Sequence, residues 1–334
     1  MGYIKAICIS EKKGTPKTPV SEAVLVENHG IRTDAHAGNW HRQVSILSCE
    51  AVEDFAQAMN AADTAGEAIE DCVYNDLEGS AAIKDRQKLP PGCFGENLLV
   101  EGIELKDIAC GTRLFVGDAV LEISQRGKEC HAGCDIRKRA GDCIMPRAGV
   151  FARVIRGGVI HAGDEIMLSA PEPDRPFRAA VITASDRGYA GEYEDKSGPL
   201  LAQRLTELGF DVIETVLLPD DREQIKQNLI RLADRRDADL IMTTGGTGLS
   251  VRDVTPEATL DVATRNAPGF CEAIRAGSLK ITPRAMLSRG VSVIRNRTLI
   301  INLPGSPKAV DESLTVIADA LMHGLKILTG KGDN

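Results

Sequence analysis

Asp239-Leu240-Ile241-Met242-Thr243-Thr244-Gly245-Gly246-Thr247-Gly248-Leu249-Ser250-Val251-Arg252-Asp253-Val254-Thr255-Pro256 is the stretch on which the fold of this chain turns. Leu240 to Met242 has the length of a buried strand. It runs into Gly245, Gly246 and Gly248, whose bare amides an anion can approach closely. Thr255 suits a helix cap and Pro256 the first helical position, so a helix is expected next. Strand, glycine loop and helix start together outline a phosphate cradle. Neither common glycine motif fits. A P-loop would end in Gly-Lys-Ser/Thr, whereas Leu249 follows Gly248, and the spacing is not Gly-x-Gly-x-x-Gly. Asp253 would repel an anion held there unless Mg²⁺ lay between them. A tight turn with a capping carboxylate is the plainer reading, but Thr255 already offers the cap.

Strand and helix patterns alternate on both sides of this stretch. Ala179 to Ile182 reads as a strand ending in Ser185-Asp186-Arg187. Leu200, Leu201, Leu205 and Leu208 recur on one helical face. Asp211 to Leu218 is a strand ending in Pro219-Asp220. Asp221 to Arg236 is helical, with Asp221 and Gln224 placed for a capping box. Helices are expected over Pro256–Arg265 and Pro268–Ser278, a strand pair over Val291–Ile294 and Thr298–Asn302, and a last helix from Ser306 to about Leu328. The alternation predicts an α/β domain, a parallel-rich sheet with helices on both faces. Such sheets bind ligands at the carboxyl ends of their strands. Ser185, Asp186 and Arg187, Asp220, the loop Thr244 to Gly248, and Asn302-Leu303-Pro304-Gly305-Ser306 all collect there. Asp221 is the better-placed cap, which leaves Asp220 as a second carboxylate for Mg²⁺. Arg275, Lys280, Arg284 and Arg289 add positive charge and read mainly as a solvated face.

Residues 1–170 read differently. Short apolar runs at Ile4–Ile9, Ala23–Val26, Val44–Leu47, Leu114–Phe115, Ala119–Ile123, Val150–Val154 and Glu165–Leu168 are punctuated by glycines, which suggests a β-barrel-like domain. Glu11 to Pro19 reads as loop and Ser48 to Asp85 as largely helical. His36, His41 and Arg42 could meet an anion or a metal, or form a polar turn. Cys130, His131, Cys134 and Cys143 leave three readings open: zinc ligands, a reactive thiolate at Cys130 beside Arg126, Lys128 and His131, or buried inert thiols. Ala170-Pro171-Glu172-Pro173-Asp174-Arg175-Pro176 then forms a stiff spacer. The expected domains are therefore 1–170 and 178–334, joined by 171–177.

Bulk properties bound the function. The chain has 334 residues, 43% hydrophobic and 26% charged, with a net charge of −8 that gives no support to nucleic-acid binding. No apolar run is long enough for a membrane span. The start, Met1-Gly2-Tyr3-Ile4-Lys5, carries no signal-peptide pattern, and a cytoplasmic location is expected. Nine cysteines, an odd number, argue against a disulfide framework.

Two resemblances follow from these residues. Gly30 to Leu47, Cys93-Phe94-Gly95-Glu96-Asn97-Leu98 and Ser124 to Cys130 resemble the MOSC domain, shared with molybdenum-cofactor sulfurases, over about residues 1–168. The resemblance implies a β-barrel-like fold and places the family's functional cysteine at Cys130, to carry sulfur or touch the cofactor's metal. Residues 178–334 resemble the molybdopterin-binding Mog/MoaB family. The motifs are Ser185-Asp186-Arg187 with Gly191, Tyr193, Asp195 and Ser197-Gly198; Thr243 to Gly248 with Arg252 to Thr259; and Asn302 to Lys308. This resemblance implies a molybdopterin adenylyltransferase that moves AMP from MgATP to the terminal phosphate of molybdopterin and releases pyrophosphate. Its catalytic, metal-holding carboxylates carry over to Asp220 and Asp253. Cofactor-binding positions carry over to Ser185, Asp186, Arg187, Thr244, Gly245, Gly246, Thr247, Gly248, Asn302, Pro304, Gly305, Ser306 and Lys308. A homotrimer built through the second domain is implied, with hand-over of product to a metal-insertion protein or a client molybdo- or tungsto-enzyme. The molybdenum and tungsten forms are equally compatible. A carrier or storage protein that holds the cofactor without transferring AMP is the alternative.

Overall fold

The structure, a computed structural model, describes residues 1–65, 89–128, 143–172 and 174–331. The chain divides into two units, Met1–Glu172 and Pro173–Asn334.

The strands of the first unit are β1 (Gly2–Ile9), β2 (Thr18–Val20), β3 (Glu22–Val26), β4 (Gly30–Ile31), β5 (Val44–Ser48), β6 (Leu98–Glu101), β7 (Arg113–Val116), β8 (Ala119–Arg126), β9 (Val150–Arg156), β10 (Gly158–His161) and β11 (Glu165–Ser169). The order β1-β6-β5-β9-β8-β7-β11 closes when β11 returns to β1, with Gly2 opposite Ile166. Closure removes the sheet edges that an open β-sheet must protect. β1 begins with the alternation of a half-buried strand, Ile4 buried between exposed Tyr3 and Lys5. A bulge between Ile4 and Ala6 then sends Ile7 into the interior with Ile4, and Ala6 and Cys8 to the opposite face with Phe55 and Phe94. Ile4, Ile46, Leu98, Leu114, Leu121 and Val154 fill the interior. β10, β3 and β4 form a separate small sheet.

The segment read as loop over Glu11–Pro19 ends instead in β2, which pairs with the end of β1. Pro19 is compatible with pairing because β2 is the outermost strand of its sheet, where a missing N–H costs little. The first part of the expected helical segment is the helix Cys49–Ala65; its continuation lies outside the described residues.

In the second unit β12 (Arg178–Ala184), β13 (Asp211–Leu218), β14 (Leu240–Thr244), β15 (Arg265–Asn266), β16 (Ser292–Arg295) and β17 (Thr298–Leu303) form one sheet, ordered β13-β12-β14-β17-β16-β15. The first four in that order are parallel, and β16 and β15 run antiparallel. β12, β14 and β17 are buried along their whole length, as central parallel strands covered on both faces should be. Leu201, Leu205, Ile274, Leu314, Ile317 and Leu321, from the helices Ser197–Glu207, Gly269–Leu279 and Pro307–Thr329, pack on Val181, Met242 and Ile301. Ile225, Leu229 and Ala258, from the helices Arg222–Ile230 and Thr255–Asp261, pack on the opposite-facing Ile182, Ile241 and Ile300.

The helix expected over Pro256–Arg265 stops at Asp261, and Arg265–Asn266 becomes β15. Thr264 turns the chain there: both its backbone N–H and its hydroxyl donate to Ile294 O. Pairing with a strand edge thus outweighs the local helical pattern. The helix expected over Asp221–Arg236 is α-helical over Arg222–Ile230 and widens to a π-helical turn over Arg231–Arg235.

Candidate active site

Four parallel strands end at one edge of the second sheet. Ala184 lies opposite Leu218, Thr183 opposite Thr244, and Thr244 opposite Leu303. The segments after these ends are therefore neighbours: Ser185–Arg187, Pro219–Asp220, Gly245–Gly248 and Pro304–Ser306.

The glycine loop is built from close approaches. Gly245 and Gly246 have φ of 91° and 61°, the left-handed region that favours glycine. A Cβ on Gly245 would stand 2.2 Å from Ala184 O, so the loop lies directly on the tip of β12. A Cβ on Gly246 would meet Thr255 Oγ1 at 2.4 Å and Asp220 Oδ1 at 2.8 Å, and one on Gly248 would meet Asp253 Oδ2 at 2.9 Å. Asp220 and Asp253, which come from different connections of the sheet, thus border the same short loop.

Asp220 is laced to the neighbouring strand tip by a reciprocal pair of hydrogen bonds. Asp186 N donates to Asp220 Oδ2 at 2.9 Å, and Asp220 N donates to Asp186 Oδ1 at 3.0 Å. Arg252 grips the Asp186 carboxylate with two bonds of 2.8 Å, which holds that carboxyl below the usual range. Asp220 moves the other way. Burial first, and then the nearby charges of Asp186 and Asp253, push its carboxyl up against the pull of the Asp186 amide. Asp220 Oδ1 is buried without a hydrogen-bond partner, and so is Thr255 Oγ1. Both atoms face Gly246. Two unpartnered oxygens, with Asp253 beside them, suit a hard divalent cation that takes its remaining ligands from phosphate and water. Among the described residues no group of three or more His, Cys, Asp and Glu could hold a metal by itself.

The other residues singled out in the sequence take varied places. Ser185 caps the turn Asp186–Tyr189 and shares a 2.8 Å hydrogen bond with Tyr193 Oη. Arg187 lies over the Tyr193 ring and pairs with Glu192. Thr244 Oγ1 donates to Pro304 O at 2.7 Å, Ser197 Oγ donates to Gly305 O at 2.7 Å, and Thr247 is buried. Asn302 is buried beneath the loop. Its amide donates to Thr243 Oγ1 and Thr259 Oγ1, and its Oδ1 accepts from Val291 N, so its visible work is to cross-link the floor. Ser306 caps the last helix, and Lys308, in its first turn, extends into solvent. Asp221 caps its own helix through Gln224 N.

Thr255 differs from its expected role. Val254 occupies the cap position with no side-chain bond, and Thr255 is the first helical residue, wholly buried. Its hydroxyl joins the site instead of the cap. Arg289, expected on a solvated face, instead bonds the loop at several points. Nothing in the local sequence marks it.

In the first unit Cys130, His131 and Cys134 lie outside the described residues. Cys143 is buried. Near His36, Lys17 pairs with Asp34, both completely buried, and Lys17 Nζ lies 3.2 Å from His36 Nδ1. His41 Nε2 bonds Gln125 Oε1 at 2.9 Å, and Arg42 stacks on Trp40.

Residues 180–323 match the model of the family described as "probable molybdopterin binding domain", and residues 33–167 match that of the MOSC domain. The molybdopterin adenylyltransferase of Escherichia coli strain K12 is 46% identical over 156 residues, which are 45% of this chain and 80% of that protein. The molybdopterin adenylyltransferase of Helicobacter pylori strain J99 is 43% identical over 152 residues, 45% of this chain and 86% of that protein. The crystal structure of the molybdopterin biosynthesis enzyme MoaB from Thermus thermophilus shares 46% identity, covers 46% of this chain and 97% of its own, and superposes with a TM-score of 0.45. No helix among the described residues is long and apolar enough to cross a membrane.

Proposed function

Because this chain belongs to the molybdopterin adenylyltransferase family through its second unit, with a MOSC domain ahead of it, we propose that it transfers AMP from ATP to the terminal phosphate of molybdopterin in molybdenum- or tungsten-cofactor assembly. The observation that supports this most is the pair of carboxylates, Asp220 and Asp253, at one glycine loop where Asp220 Oδ1 and Thr255 Oγ1 have no partner.

The reaction joins two anions, a phosphate nucleophile and the α-phosphate of ATP. Charge neutralisation and in-line placement are therefore the main tasks. Asp220, Asp253 and Thr255 would hold Mg²⁺, which when bound neutralises phosphate charge and favours departure of pyrophosphate. The amides of Gly245 to Gly248 hold phosphate oxygens where no side chain intrudes. Ser185, Asp186 and Arg187 line the tip of β12, and Arg252, now on Asp186, can reach an incoming phosphate. Pro304, Gly305 and the start of the last helix, with Ser306 and Lys308, receive the pterin phosphate.

In this reading the first unit binds the pterin or its metal product and presents sulfur on Cys130, and the tether keeps an unstable intermediate at about millimolar effective concentration. Assembly as a homotrimer through the second unit is supported by the exposed apolar side chains of Ile281, Met286 and Leu287. Product then passes to a metal-insertion protein or a client enzyme.

The test is pyrophosphate release from ATP, Mg²⁺ and molybdopterin. Release by the wild-type chain, lost with EDTA, is the expected result. Tight pterin binding without pyrophosphate would instead favour a carrier that holds the cofactor and transfers nothing. For Cys130 the expected result is cyanide-labile sulfur that Cys130→Ala lacks.

A further inference from the structure

The segment between Gly248 and Asp253 has no apolar anchor. Leu249 is 66% exposed and Val251 96%. Its shape therefore rests on polar contacts, and one distant residue makes several of them. Arg289 N donates to Thr247 O at 2.9 Å. Arg289 Nε donates to Gly248 O at 2.6 Å, and Nη2 donates to Asp253 O. Nη1 pairs with Glu257 in the first turn of the helix Thr255–Asp261. One guanidinium thus joins the end of the glycine loop, the backbone of Asp253 and the helix that presents Thr255.

The geometry points to Arg289 as the positioning residue of the nucleotidyl-transfer site, acting through Asp253. This rests on the adenylyl-transfer reading above. Each of the three guanidinium nitrogens is engaged with the loop or with Glu257, so the role assigned to Arg289 is to shape the phosphate site and not to bind phosphate itself. Holding Gly248 O and Asp253 O fixes both ends of a small turn. Within that turn Ser250 N donates to Asp253 Oδ2 at 2.8 Å and Asp253 N to Ser250 O at 3.0 Å. These bonds set the Asp253 carboxylate against Gly248. The three acceptors meet three different nitrogens of a planar fork, whereas the donors of a Lys ammonium all sit on one compact atom. Arg289→Lys is therefore not conservative here.

The experiment compares wild type, Arg289→Ala, Arg289→Lys, Asp253→Asn and the double variant in the full chain. It reads steady-state pyrophosphate release and amide hydrogen exchange. Arg289→Ala should lower kcat on the order of 100-fold, the scale of a 1 Å misplacement, with the KM for ATP within about threefold. Arg289→Lys should stay low, and added guanidinium should restore part of the Ala variant's rate. Exchange at Ser250 N–H and Asp253 N–H should quicken in both variants. In an Asp253→Asn background, Arg289→Ala should cost nothing further, since the group it positions is already disabled. Wild-type kcat in Arg289→Ala, or a full additional loss on top of Asp253→Asn, would overturn the assignment. Should the Ala variant fail to fold, the Lys variant carries the same comparison. If the wild-type chain releases no pyrophosphate, the enzymatic reading fails by itself, and unchanged exchange at Ser250 and Asp253 would still refute the role of Arg289 in holding the loop.

Discussion

Gly246→Ala separates the cost of a strained backbone from the cost of a displaced site. Gly246 has φ of 61°, and an L-residue there pays about 1–2 kcal/mol in backbone strain. The added methyl carbon would stand 2.4 Å from Thr255 Oγ1 and 2.8 Å from Asp220 Oδ1. Both oxygens must retreat by roughly 0.5–1 Å to reach ordinary van der Waals separation. Thr255 is wholly buried and Asp220 is laced to Asp186, so the retreat moves the niche itself. A shift of about 1 Å in a phosphoryl-transfer site is worth on the order of 100-fold in rate. Gly209→Ala is the control. Its φ of 89° carries similar backbone strain, yet a Cβ there meets nothing within 4 Å. Calorimetric melting of the full chain should shift for both variants, by about 2–4 °C per kcal/mol, and further for Gly246→Ala, where displacing buried Thr255 and Asp220 adds about 1–3 kcal/mol to the strain the two share. Pyrophosphate release should fall on the order of 100-fold in Gly246→Ala alone. Equal, near-wild-type activity in both would refute the placement of the reacting phosphates over Gly246.

Asp253→Asn keeps the size and the Ser250 contact of the side chain but removes its charge; release of pyrophosphate should fall at least 100-fold, on the scale of other lost transition-state charge contacts, with melting unchanged. Burial raises the Glu96 carboxyl to about 7 in the folded state. The folded chain then binds more protons than the unfolded one above the ordinary carboxylate value, so the first unit should lose stability as pH rises from there to about 7. Urea midpoints followed by Trp40, the single tryptophan, should show that slope, and Glu96→Gln should flatten it. Lys17→Met leaves Asp34 ionised and buried without its partner, and the same fluorescence should report a loss of about 3–5 kcal/mol; a loss below 1 kcal/mol would mean that water or His36 replaces the ammonium.

What the sequence disclosed and what it withheld follow from the range of the interactions. In the second unit each strand and helix carries its own period, and parallel strands joined by helices bring their carboxyl ends to one edge. Asp220 and Asp253 stand out because each follows a strand-like run at that edge. The barrel is less legible, because pairings such as Gly2 with Ile166 and Ser45 with Phe151 join residues more than a hundred apart. β15 was hidden by a helical pattern that Thr264 overrides. Thr255 looked like a cap because residue type alone cannot show that the chain enters the helix one residue earlier. Arg289 is the instructive case. It bonds backbone atoms 36 and 41 residues before it, and a charge between two short apolar runs looks like surface. A glycine loop can be recognised from its own residues because its freedom is local. Its working shape is imposed by whatever closes over it, and a loop with Leu249 and Val251 in solvent must borrow that constraint from elsewhere in the chain. For such a loop the side chain that fixes the geometry is the one the local sequence is least able to announce.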